Sequence, residues 1–162
     1  MVQRAGFRIA ACLLVGGLAP FPAQADLGGD VAAVRADSVR MRARLASVDR
    51  GAYARHDLTR DTGGTVREFT NARGQVFAVS WSGPGKPDLR ALLGRHFAAL
   101  QGSTGPTAAV GHRILGLRRP AIVAEPDLQI QTGGHMGWFY GAALIPSLAP
   151  SGFDRTTLTV QP

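Results

Sequence analysis

Between Asp30 and Val48, apolar residues fall at Val31, Val34, Met41, Leu45 and Val48, and Ser38 fills the one gap in a three-four spacing. That spacing predicts an amphipathic helix of about five turns. Asp30, just after Gly28-Gly29, is its expected N-cap. Its arginines flank the stripe. A basic amphipathic helix can lie on a membrane, but this one has no aromatic or large apolar face, so it is expected to pack on a sheet.

At Tyr53 the period drops to two. Tyr53–Arg60, Thr65–Asn71 and Gln75–Trp81 read as strands, rich in β-branched and aromatic residues. Asp61-Thr62-Gly63-Gly64 and Asn71-Ala72-Arg73-Gly74 join them. Those turns are too short for crossovers, so the three strands form an antiparallel meander. Alternation places Phe77, Val79 and Trp81 on one core face.

Ser82-Gly83-Pro84-Gly85-Lys86-Pro87 breaks the third strand. Pro87 and Asp88 open a second helix with Leu89, Leu92, Leu93, Phe97 and Leu100 on one face. Beyond it, short strands are read around His112–Leu117 and Ala121–Ala124. Leu128 and Ile130 begin another, Met136–Ile145 is a further one, and Thr156–Val160 is an edge strand. The sum is an α+β domain: an antiparallel sheet, made of the three-strand meander plus later strands, covered on one face by two helices.

The ends change the picture. Arg4 and Arg8 precede an uncharged apolar run, Ile9–Leu18, and Ala23-Gln24-Ala25 offers a small-x-small cleavage pattern. Residues 1–25 are therefore expected to be an export signal, cut before Asp26. The run is too short for a bilayer, and no later segment is apolar enough to span one. Cleavage leaves residues 26–162 as one basic domain, in the periplasm or secreted. Cys12, the only cysteine, leaves with the signal, so the mature chain has no disulfide, thiolate nucleophile or thiolate ligand.

Formal charge falls from +7 to +5 with the loss of Arg4 and Arg8. The basic residues are seventeen Arg and one Lys, Lys86. They are scattered, without the stripe a nucleic-acid binder presents, so no nucleic-acid partner is expected. Ser82–Asp88 places Gly-Lys between strand and helix, as a phosphate loop does. However, Pro87 stands where a hydroxyl is needed, and two prolines remove amides. His56, His96, His112 and His135 lack partners at metal-ligand spacing, and no GxSxG elbow is present. No metal, cofactor or catalytic residue is assigned.

The segment Gln131–Pro146, QTGGHMGWFYGAALIP, carries the most distinctive chemistry. On a strand beginning at Met136, Trp138 and Tyr140 share a face, with His135 at its entrance and Gly133-Gly134 as a turn or bulge. Rings and imidazole together offer flat apolar area with polar edges. The plainer reading is a core strand whose glycines serve packing.

The blocks GQVFAVSWSGPGKPDLRALLG, Gly74–Gly94, and TGGHMGWFYGAALIPSLAP, ending at Pro150, resemble those of a family of small exported proteobacterial proteins known as domain of unknown function 2844. The resemblance implies an exported single domain and carries over no catalytic residue. Together these readings predict a non-enzymatic binding module of the cell envelope, with an envelope or secreted partner. Its expected surface is Lys86 with His135, Trp138 and Tyr140. The alternative is an envelope hydrolase whose serine and histidine are brought together by folding.

Overall fold

The computed structural model of the chain describes residues 26–103 and 121–159. Seven antiparallel strands form one sheet in the order β1-β2-β3-β4-β7-β6-β5. They are β1 (Ala43–Asp49), β2 (Tyr53–Arg60), β3 (Thr65–Asn71), β4 (Val76–Pro84), β5 (Ala121–Glu125), β6 (Leu128–His135) and β7 (Trp138–Leu144). Two meanders, β1–β4 and β5–β7, meet where β4 pairs with β7. Helices α1 (Val31–Arg40), α2 (Leu89–Leu93) and α3 (Phe97–Ser103) cover one face. The fold is α+β, as the periodicities predict. The expected leader, residues 1–25, and the expected strand around His112–Leu117 lie outside the described residues.

The first helix ends earlier than its stripe. Asp30 caps it, accepting from the Ala33 amide at 3.0 Å. After Met41 the chain turns through Arg42 at φ 49°, and Ala43–Asp49 becomes an edge strand paired rung for rung with β2. Leu45 packs into the helix-side core, and Ala43 joins it. Met41, Ala43 and Leu45 alternate with Arg42 and Arg44, so this stretch also fits a period of two up to Leu45. The unpaired backbone edge of β2 decides it, because a strand there satisfies a whole row of amides and carbonyls.

Leu58, Val66, Val79, Trp81, Ile130 and Ala143 join Leu27, Val34, Leu92 and Leu93 in the core beneath the helices. Phe77 does not follow Val79 and Trp81 there. Phe69 pairs with Ala78 and Thr70 with Val76, so Phe77 is the extra residue of a β-bulge. The bulge turns Phe77 to the opposite face. There it packs with Phe69, Tyr53 and Phe153, the closest ring pair being Phe77–Phe153 at 4.8 Å between centroids.

The second helix is broken. Asp88 caps α2 through the Ala91 amide, and a 3-10 turn, Gly94–His96, separates it from α3. A side chain at Gly94 would collide with Asp26, where the incoming chain donates Leu27 N–H to the Leu92 carbonyl at 3.0 Å. β4 runs on through Ser82-Gly83-Pro84, because β7 pairs along its whole length. The turn between β6 and β7 is Met136-Gly137, with Gly137 at φ 83°. Gly133 and Gly134 lie inside β6, and β7 begins at Trp138 and not at Met136.

Thr156–Val160 is not a strand within the described residues. Arg155–Leu158 is a 3-10 turn capped by Asp154, and Leu158 is buried on the Phe69–Phe77 cluster. The preceding stretch is held against the sheet by Asp127, which accepts from the Ser147 amide and hydroxyl at 2.8 and 2.7 Å. Asn71 donates to the Leu148 carbonyl at 3.0 Å. Among the described residues, the C-terminal segment thus covers the outer face around Phe69 and Phe77 and leaves the β5–β7 part open.

Candidate functional site

Pairing of β4 with β7 brings the distant glycine-rich segments together. Ser82 lies opposite Tyr140, Gly83 opposite Phe139 and Pro84 opposite Trp138. On the other side of β7, His135 lies opposite Trp138 and Gly133 opposite Tyr140. By strand alternation, Trp138, Tyr140, Ala142 and Leu144 point to the outer face. Three of the four expected site residues, His135, Trp138 and Tyr140, therefore occupy one corner of that face beside Ser82–Pro84. Lys86 is exposed on the adjoining loop and forms no ion pair among the described residues. His135 is exposed, the two rings are half-buried, and the Trp138 Nε1 is buried with no hydrogen-bond partner among the described residues.

The loop is tied down by the β6–β7 turn and by Arg60 of β2. Gly85 N–H donates to the Gly137 carbonyl at 3.2 Å. One Arg60 nitrogen, Nη2, donates to the Pro84 and Gly85 carbonyls at 3.0 and 2.9 Å. Gly83, at φ 131°, lets the Gly64 backbone come within 2.5 Å of where a Cβ would stand. A phosphate cradle needs free amides, and here the Gly85 amide is already used.

The glycines around the aromatic run have separate purposes. The Tyr140 ring lies over Gly133, where a Cβ would stand 2.6 Å from the ring carbon Cζ. On the opposite face Trp81 lies over Gly141. Each glycine is the direct cross-strand neighbour of the ring that covers it. Packing accounts for both, and Gly137 makes the turn.

Tyr140 also forms one end of a groove of about 370 Å³ on the outer face of β5–β7. Ala142, a small side chain between Tyr140 and Leu144 along β7, lines it. Ile122 and Gln131 form the β5–β6 side, and Leu158 and Arg155 come from the C-terminal segment. Arg155 Nη1 donates to Gln129 Oε1 at 3.3 Å. Sequence reasoning missed this groove apart from Tyr140. The alternation of Leu128 and Ile130 with Gln129 and Gln131 does mark which side of β6 faces outward, but nothing local links Arg155 to it.

The helical face holds a polar cluster beneath α1. His56 is buried; its Nδ1 is 2.8 Å from Ser47 Oγ and its Nε2 is 3.0 Å from Thr70 Oγ1. Burial pushes the imidazole pKa down, against the Asp57 charge, which favours the neutral ring. Glu68, its cross-strand neighbour, is 2 % exposed and has one carboxyl oxygen without a partner. Desolvation raises its pKa to about 7, although Arg40 opposes the shift. Arg40 forms an ion pair with the buried Asp37. Among the described residues, no three His, Cys, Asp or Glu side chains converge as a metal set, and no helix is long and apolar enough to cross a membrane.

Residues 23–158 match the family described as Protein of unknown function (DUF2844), and the chain belongs to it. No curated protein and no solved structure matches the chain.

Proposed function

We propose that this member of the family is an exported, non-enzymatic binding module of the cell envelope, released by cleavage before Asp26 into the periplasm or the medium. The observation that carries the binding reading is the half-exposed pair Trp138 and Tyr140, set beside a rigid loop bearing Lys86. The rings offer flat apolar area, and the ammonium offers a contact for an anionic group. His135, at the hairpin end, adds a polar edge. The partner is an envelope or secreted component. A tagged mature chain should recover it from native envelopes, and the double variant His135→Ala, Trp138→Ala should lose it. Equal recovery by both proteins would remove the case for this surface. N-terminal sequencing of the native product should begin at Asp26; a product retaining Met1 would exclude export by cleavage.

A second reading, an envelope hydrolase, draws on the Ser47–His56 contact, with His56 as general base. Two features weigh against it. The other imidazole nitrogen meets the Thr70 hydroxyl, which cannot stabilise an imidazolium as a carboxylate does. Ser47 also sits on an edge strand, not in a cleft with oxyanion donors. A fluorophosphonate probe would decide: labelling that disappears in Ser47→Ala would favour the hydrolase.

A further inference from the structure

We propose that the outer-face groove binds a single-chain amphiphile with a carboxylate head, the chain lying over Ala142 between Tyr140 and Leu144 and the head meeting Arg155. The proposal deepens the binding-module reading and rests on it, but it concerns a different part of the outer face, joined to the aromatic corner only through Tyr140.

The argument is one of shape and charge complementarity. At about 370 Å³ the groove is the size of a small-ligand site, for which the usual range is about 300–1,000 Å³. Its lining is mainly apolar: Ala142 and Leu144 on β7, with Leu158 on the C-terminal wall, while Gln129 and Gln131 of β6 add two polar side chains to the floor. Ile122, 60 % exposed, stands at the β5 rim. An alkyl chain laid there removes apolar surface from water on both partners.

The lining contains one charged residue, Arg155, and no Asp or Glu. Among the described residues Arg155 has no carboxylate partner and makes one side-chain hydrogen bond, to Gln129 at 3.3 Å. The guanidinium therefore retains donors for a carboxylate, which it can bind in a forked geometry. A lone guanidinium beside a mainly apolar lining suits a singly charged head better than a phosphate cluster or a sugar, since each of those needs several donors.

The mature full chain, titrated with dodecanoate below its micelle concentration in a calorimeter, should bind one equivalent saturably. Dodecyltrimethylammonium, with the same chain and the opposite charge, should bind at least about tenfold more weakly, and Arg155→Gln should weaken dodecanoate by about tenfold. Ala142→Leu adds bulk to the groove between Tyr140 and Leu144 and should abolish binding with the unfolding midpoint retained. Arg44→Gln, which removes the same charge from the β1 edge, should leave affinity unchanged. No saturable binding by the folded wild-type chain overturns the proposal. So does equal affinity for the two amphiphiles, or an unaffected Arg155→Gln. If Ala142→Leu unfolds the chain, Arg155→Gln with the ammonium comparison still decides. Absent dodecanoate binding with intact envelope recovery would overturn the groove ligand alone. Lost envelope recovery by the His135, Trp138 variant says nothing against the groove.

Discussion

Two neighbouring residues of β7 illustrate how one packing device is put to two uses. Gly141 receives the Trp81 ring from β4, and Tyr140 lays its own ring over Gly133 of β6. Both are an aromatic ring covering a directly paired glycine. Trp81 is 2 % exposed beneath the helices, whereas Tyr140 is half-buried and edges an open groove. The glycine makes room for the ring in either case. Whether the ring becomes core or recognition surface depends on what covers that face.

The largest test of this contrast is stability. Trp81→Ala should cost about 3–5 kcal/mol in urea unfolding, as expected for emptying a sealed ring site. Tyr140→Ala should cost about 1 kcal/mol, since much of its surface is already in water. Equal costs would mean that the two cradles do the same job.

Sealing also acts on ionisation. Glu68 has its pKa raised from 4.5 to about 7, chiefly by burial. Between those values the unfolded chain releases its proton before the folded one does, so stability falls as pH rises from 4.5 to 7 and stays lower above it, by about 3 kcal/mol from this group. His56 works the other way. Its pKa is lowered from 6.5, so its contribution is present above pH 6.5 and is lost as pH falls through the folded value. Asp37 and Arg40 share the cluster. Glu68→Gln should remove the falling limb and leave the chain more stable than wild type at pH 8. Denaturant midpoints measured across that range check it, and an unchanged slope would locate the titration elsewhere.

A methyl group is a finer probe of the cradles. Gly141→Ala pushes Trp81 against a packed core and approaches the Gln131 carbonyl, so it should cost about 1–3 kcal/mol. Gly133→Ala meets only the far end of the movable Tyr140 side chain and should cost less than about 1 kcal/mol, with a shift in tyrosine fluorescence as the ring moves. Thermal unfolding of the pair gives the ranking directly. The smallest effect is expected at the sheet edge: Ser47→Ala, which removes one exposed partner of His56, should cost about 1 kcal/mol.

Much of the sheet is legible from residue order. The alternation in β2, β3 and β4, the caps at Asp30 and Asp88 and the turn at Gly74 are local signals, and the structure places elements where they point. The candidate corner is legible in its residue types, since Trp138 and Tyr140 share a parity on any strand drawn through them. Its companion loop is not. Ser82–Pro84 reaches Trp138–Tyr140 only because β7, more than fifty residues later in the chain, pairs with β4. The groove is less legible still, because Arg155 directly precedes Thr156–Val160, which reads as an edge strand.

By itself, then, the order of residues determined the α+β class, the meander and the two turns within it, because those follow from spacing, φ preference and capping among near neighbours. Tertiary structure decided the rest. It turned the tail of a helical stripe into β1 by offering the open edge of β2. It sent Phe77 across the sheet through a bulge, set β7 beside β4, and left Tyr140 uncovered while sealing Trp81. Each of these outcomes is fixed by which distant backbone groups find hydrogen-bond partners and which apolar surfaces find cover, and neither is written in the spacing of adjacent residues.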